Sequence, residues 1–142
     1  MNTRKILAGC AALLAVGILL ASQTTAQVKK GKTRPLTTKQ MMAGLVKPQW
    51  ATLSETLKGA GPADDKAWEA ALTNAALLNE SGHVLMADGR CPDGVWAGAS
   101  KTLQDCSQAL VAKLEAKDAA GAREAMSALT KSCGTCHAAH KK

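Results

Sequence analysis

Cys133, Cys136 and His137 place two thiols and an imidazole on one short stretch near the end of a 142-residue chain. On a helix, residues three apart share a face, and His137 falls one turn beyond Cys133 on that same face. Such a turn suits three chemistries. A zinc ion takes thiolate and imidazole but needs about four ligands, and Cys91, Cys106, His83 and His140 offer no second tight pair. A redox dithiol of the thioredoxin type sits at a helix start beside a sheet, whereas this motif lies near the end of a helical chain. The third chemistry is covalent attachment of haem. Two thiols reach two vinyl groups on one porphyrin edge, and the histidine that follows turns under the ring to bind iron. The spacing therefore predicts one covalent haem c, held by Cys133 and Cys136, with His137 as the proximal iron ligand.

An iron bound on one side by His137 leaves its other side to be filled or left open. Met42 is the candidate opposite ligand, because a thioether is a soft neutral donor that favours ferrous iron. Met41 is a weaker candidate, and both methionines also suit gap-filling in a core. His83 lies late in a helix and reads as a surface histidine. His140, one turn past His137, suits the haem edge. Trp50, Trp68 and Trp96 fall on inner helical faces, where packing accounts for them. No paired carboxylates, Ser-His-Asp set or phosphate-binding loop is present, so no enzyme activity is predicted.

Four helices must position these residues. Ala and Leu dominate, β-branched residues are sparse, and no strand-like alternation occurs. A first helix is expected over 37–58, with Ala43, Val46, Trp50, Leu53 and Leu57 on one stripe. Pro48 removes a hydrogen bond to Gly44, so a kink or a restart is expected there. A second helix is expected to start near Pro62 and to carry Trp68, Leu72, Ala75, Leu78 and then Leu85 or Met86, with Gly82 a place to bend. The third is expected over 95–116, with Trp96, Ala99, Leu103, Cys106, Leu110 and Leu114 inward. The fourth is expected from 119 to the end, with Ala122, Met126, Leu129, Cys133, Cys136 with His137, and then His140 inward. Short connections between amphipathic helices predict an all-α, antiparallel four-helix bundle over 37–142.

The beginning of the chain reads as an export signal. Arg4 and Lys5 precede a nearly unbroken apolar run over 6–21, and Thr24, Thr25 and Ala26 are small residues suited to signal peptidase. Cleavage after Ala26 removes 1–26, including Cys10. The run is short for a membrane span, which needs about 20 residues, so no span is expected in the mature chain. Residues 27–36 are basic and read as a mobile tail. The formal net charge of the full chain is +7, from 18 Lys and Arg against 11 Asp and Glu; loss of Arg4 and Lys5 leaves 16 against 11, and that excess is concentrated at the mature termini. With export and no Phe or Tyr for stacking, nucleic acid is an unsuitable partner. Cys91 and Cys106 meet an oxidising compartment. Helix rise separates them by about 15 Å if the third helix starts at Val95, so a disulfide and two separate thiols both stay open.

The pattern Pro92-x-x-x-Trp96, an Ala-rich helix, Ala116-Lys117-Asp118, and Cys133-Gly-Thr-Cys136-His137-x-x-x-Lys141 resembles the cytochrome c-prime family. The order of four helices with the attachment motif near the C-terminus is similar across the mature chain, and the C-terminal third carries most of the specificity. The resemblance implies a periplasmic four-helix bundle with haem between the helices, His137 proximal, and Lys141 at a basic position near the haem edge. It implies a mono-haem electron carrier with an unnamed redox partner, and members often form antiparallel homodimers. Two departures matter. Family members usually carry Phe or Tyr where His140 stands. An Arg typically lies one turn before the distal residue, but here the nearest basic residue is Lys39. That register puts Ala43 opposite iron, and a shift of one residue puts Met42 there. Met gives a six-coordinate electron carrier, whereas a small residue leaves iron open to nitric oxide or carbon monoxide.

Overall fold

The computed structural model describes residues 29–141. The expected signal peptide over 1–26 with its cleavage after Ala26, and residues 27, 28 and 142, lie outside the described residues. The first helical rod has three stretches: α1 (Thr38–Met41), a π-helical turn (Met42–Val46) and α2 (Lys47–Thr56). Three longer helices follow: α3 (Asp65–Met86), α4 (Gly94–Glu115) and α5 (Ala119–His140). The chain is thus an antiparallel four-helix bundle, its rods reversing through connectors at 57–64, 87–93 and 116–118. Among the described residues, extended pairing is confined to an isolated bridge between Lys30 and Thr37. No described helix is long and apolar enough to cross a membrane.

Local chemistry fixes each rod's start. Thr37 caps α1 in a reciprocal box: its Oγ1 accepts from the Gln40 N–H, and Gln40 Oε1 accepts from the Thr37 N–H at 2.8 Å. Asp64, Asp93 and Asp118 cap α3, α4 and α5 by accepting the N–H groups of Ala67, Trp96 and Gly121. Pro48 sits at the start of α2. The turn before it is π-helical, with the Lys47 N–H donating to Met42 O. The restart expected at Pro48 therefore takes the form of a widened turn, which lies where Pro48 cannot supply a donor to Gly44.

The core forms mainly among α3, α4 and α5. Backbones pack most closely between α3 and α4 and between α4 and α5, and less extensively between α2 and α3; the first rod and α5 are not among these closely packed pairs. Leu53, Ala75, Leu78, Leu110, Ala122 and Leu129 are fully buried. Gly82 does not bend α3, which runs on to Met86. Instead it admits α4: a Cβ there would sit 2.7 Å from Gln104 Cγ and 3.3 Å from Ser100 O. Buried polar groups in this seam are satisfied locally. Asn79 Nδ2 donates to Gln104 O at 2.8 Å, and Ser107 Oγ donates to Leu103 O at 2.6 Å.

The described part of the basic segment, from Lys29 to Leu36, has long-range partners that the sequence did not reveal. The N–H groups of Thr33 and Arg34 donate to the Asp88 carboxylate at 2.9 Å each, and the Lys32 N–H donates to Asp88 O at 3.0 Å. Beneath this strap the buried Arg90 guanidinium reaches the carbonyls of Lys29 and Arg34 at 3.5 and 3.4 Å. The Thr38 N–H donates to Lys29 O, tying the strap to the start of the first rod. The Arg34 N–H, ahead of the bonds from Thr33, holds the Asp88 carboxyl below its ordinary value. A carboxyl depressed in the folded state stabilises above its unfolded value of about 3.9, and that contribution is lost as pH falls through the lower folded value. Amide exchange at Thr33 and Arg34, corrected for intrinsic rates, is accordingly expected to speed up on acidification through that window. Asp88→Asn, which suits the same left-handed backbone (φ 60°), is expected to raise it roughly five- to tenfold at neutral pH. Unchanged exchange in both tests would contradict the strap.

Candidate functional site

The stripe of the first rod divides at Trp50. Toward its C-terminal end, Leu53 and Leu57 enter the core; toward its N-terminal end, Met42, Ala43 and Val46 face a cavity of about 760 Å³. The opposite wall is the last three turns of α5 with Lys141: Thr130, Cys133, Gly134, Cys136, His137, His140 and Lys141. Trp96 of α4 closes a further side, and Thr38, Lys39 and Lys47 complete the rim. The lining surface is overwhelmingly apolar, and the volume falls within the roughly 300–1,000 Å³ of sites for small molecules and cofactors.

Two hydrogen bonds set the frame of this cavity. Trp50 Nε1–H donates to Thr130 Oγ1 at 3.0 Å and so ties the first rod to α5 where their backbones are apart. Trp96 Nε1–H donates to Leu85 O at 2.8 Å, which fixes its indole with 2% exposure. The His140 ring stands edge-on to that indole, 5.3 Å between centroids at 76°. His140 Nε2 lies 3.4 Å from Asp93 Oδ1, the carboxylate that also caps α4. His140 is thus packed against an aromatic ring and placed beside a carboxylate.

The titratable groups follow their surroundings. Burial, ahead of all other influences, raises the thiols of Cys133 and Cys136 above the ordinary cysteine value. Cys106 on α4 acts on Cys133 in the same direction, since a second thiolate nearby would be repelled. His137 is exposed at the rim. Partial desolvation, then the Lys141 ammonium, hold its imidazole below the usual histidine value. Both influences favour the neutral ring, the form with a lone pair to offer a metal.

The structure brings together Cys133, Cys136, His137, Lys141, Met42 and Ala43, the last two side by side on the π-helical turn. It leaves out Met41, which is buried in the core at 1% exposure and does not line the cavity; His83 is exposed on α3, as expected of a surface histidine. Cys91 and Cys106 are separate thiols, as are Cys133 and Cys136. Among the described residues, no three His, Cys, Asp or Glu side chains converge as a metal-ion group. Sequence reading missed Lys47 and Thr130 as wall residues. Thr130 was readable in principle, since it lies one turn before Cys133 and Gly134. Comparisons with protein-family models, with curated proteins and with solved structures find no match to this chain.

Burial of both thiols has a direct consequence. In protein expressed without haem-maturation machinery, alkylation of Cys133 and Cys136 by iodoacetamide, followed by mass spectrometry against pH, is expected to show midpoints above the ordinary ~8.5 for cysteine. A midpoint at or below that value would mean that the thiols are not shielded as described.

Proposed function

We propose that the cavity holds one covalently attached haem c and that the chain is an exported, periplasmic mono-haem cytochrome that transfers electrons. The observation that carries this reading is the convergence of Cys133, Cys136 and His137 on one apolar cavity whose facing wall presents Met42. The residues present fit the group: the wall is apolar, both thiols and the imidazole line it, and the rim carries Lys141. Cys133 and Cys136 would hold the macrocycle as thioethers, His137 would supply the axial imidazole, and Met42 the thioether opposite. When bound, haem supplies a one-electron ferric–ferrous couple.

The chain's own residues set the terms of that couple. Val46, Trp50 and Trp96 exclude water from the cavity interior and keep its dielectric low, which disfavours the extra charge of ferric iron and raises the potential. The depressed basicity of His137 keeps its ring neutral and available at neutral pH. The Trp50–Thr130 bond limits how far the first rod can move from α5, so Met42 and His137 hold opposite walls at a set separation. The export assignment rests on the basic and apolar pattern of residues 4–26.

A second reading rests on Ala43, which lines the same cavity beside Met42. With Ala43 opposite iron, the distal side would be open and the protein would bind nitric oxide or carbon monoxide, as a scavenger or sensor. The visible spectrum of the matured ferric protein separates the two. The electron-carrier reading expects a six-coordinate, low-spin spectrum that becomes high-spin in Met42→Ala, with a gain in carbon monoxide binding by the reduced variant. A high-spin wild-type spectrum that Met42→Ala leaves unchanged would replace it with the gas-binding reading.

A further inference from the structure

Charge is sorted along the bundle axis, and the cavity opens at the basic end. Lys39, Lys47 and Lys141 stand on its rim, all exposed. The strap adds Lys29, Lys32 and Arg34 at the same end, because its hydrogen bonds to Asp88 and Thr38 pin it across the 87–93 connector and the start of the first rod. Two acids of the 87–93 connector share this end, Asp88 beneath the strap N–H groups and Asp93 beside His140, and the exposed cations outnumber them. The far end is close to balanced: Asp64, Asp65, Glu115, Asp118 and Glu124 lie there with Lys58, Lys66 and Arg123, and with Lys117 paired to Asp65 at 2.6 Å and Lys113 to Asp118 at 3.2 Å.

Apolar exposure follows the same division. The large hydrophobic side chains that stay exposed among the described residues are Leu36, Met86 and Val95, at 47%, 39% and 49%. All three flank the strap and the 87–93 connector, at the basic end. Apolar contacts inside a charged rim are the anatomy of a protein-binding surface. A field of one sign steers an oppositely charged partner to it. Haem propionates would offset part of the rim charge, and the cations of the strap would remain.

We propose that the strap end of the bundle is the docking surface for an acidic protein, the electron donor or acceptor of the cavity's haem. The assignment of that partner as a redox protein rests on the function proposed above; the surface itself rests on charge and exposure. An acidic protein is favoured over nucleic acid because the exposed groups are aliphatic and Trp50 and Trp96 are engaged in the cavity wall, leaving no stacking platform at this end. A second copy presenting the same face would meet like charge.

The test uses the full mature protein, with its visible spectrum recorded on the same sample. The probe is a glutamate-rich peptide containing two leucines, titrated by calorimetry beside a polyglutamate of equal charge and a single-stranded oligonucleotide of equal charge. The leucine-bearing peptide is expected to bind tightest, with affinity falling at least tenfold between low and physiological salt. Lys29→Glu/Lys32→Glu/Lys39→Glu is expected to weaken it at least tenfold, and Leu36→Ser/Val95→Ser to erase its advantage over polyglutamate. Lys58→Glu/Lys66→Glu, at the far end, is expected to change it less than twofold. Equal loss from the two charge variants, tighter binding of the oligonucleotide, or self-association in sedimentation that the strap variant abolishes would each overturn the proposal. A sample that binds the peptide as expected but shows no haem absorbance would leave the surface standing and remove the redox assignment. A haem-bearing sample that fails to bind would do the reverse.

Discussion

The structure turns on a separation: the first rod and α5 stand apart while consecutive rods pack against one another. Walls held apart make no dispersion contacts with each other, so the remaining seams carry the packing of the bundle. A bundle this small keeps such a gap only if the remaining seams are tight. Gly82 lets α3 meet α4 closely, the Asn79 and Ser107 hydrogen bonds satisfy that seam, and α4 in turn packs along the whole of α5. The Trp50–Thr130 bond then sets the width of the opening from inside.

Much of this could be read in the sequence, because helices announce themselves through local period and caps. The all-α architecture, the inward faces of α3, α4 and α5, and the restart at Pro48 follow from patterns within a few residues. So does the meeting of Cys133, Cys136 and His137, since one helical turn fixes it. What could not be read is long-range. Nothing local says that Arg90 is buried beneath Lys29 and Arg34, or that Asp88 gathers the N–H groups of a segment more than 50 residues earlier. Residues 29–36 look like a solvated tail by composition alone. The structure gives them partners because the positive-φ turn at Asp88 aims a carboxylate outward.

The facing wall shows where sequence resolution ends. Met42 and Ala43 are neighbours, and a shift of one helical position exchanges them. The π-helical turn over Met42–Val46 adds a residue to the local period, so ordinary helical spacing from Lys39 cannot decide which of them stands opposite His137. Turns of this type recur at functional sites because they re-aim side chains without breaking the rod. Here the widened turn, the missing donor of Pro48 and the cavity wall coincide.

The proposed function requires that the turn carrying Cys133, Cys136 and His137 bind a porphyrin covalently. Intact mass of the denatured protein, after expression with haem-maturation machinery, tests it most directly. One added macrocycle per chain is expected, mapped by proteolysis to the peptide containing Cys133 and Cys136, with neither thiol open to alkylation. A chain of unmodified mass whose two thiols both alkylate would contradict it.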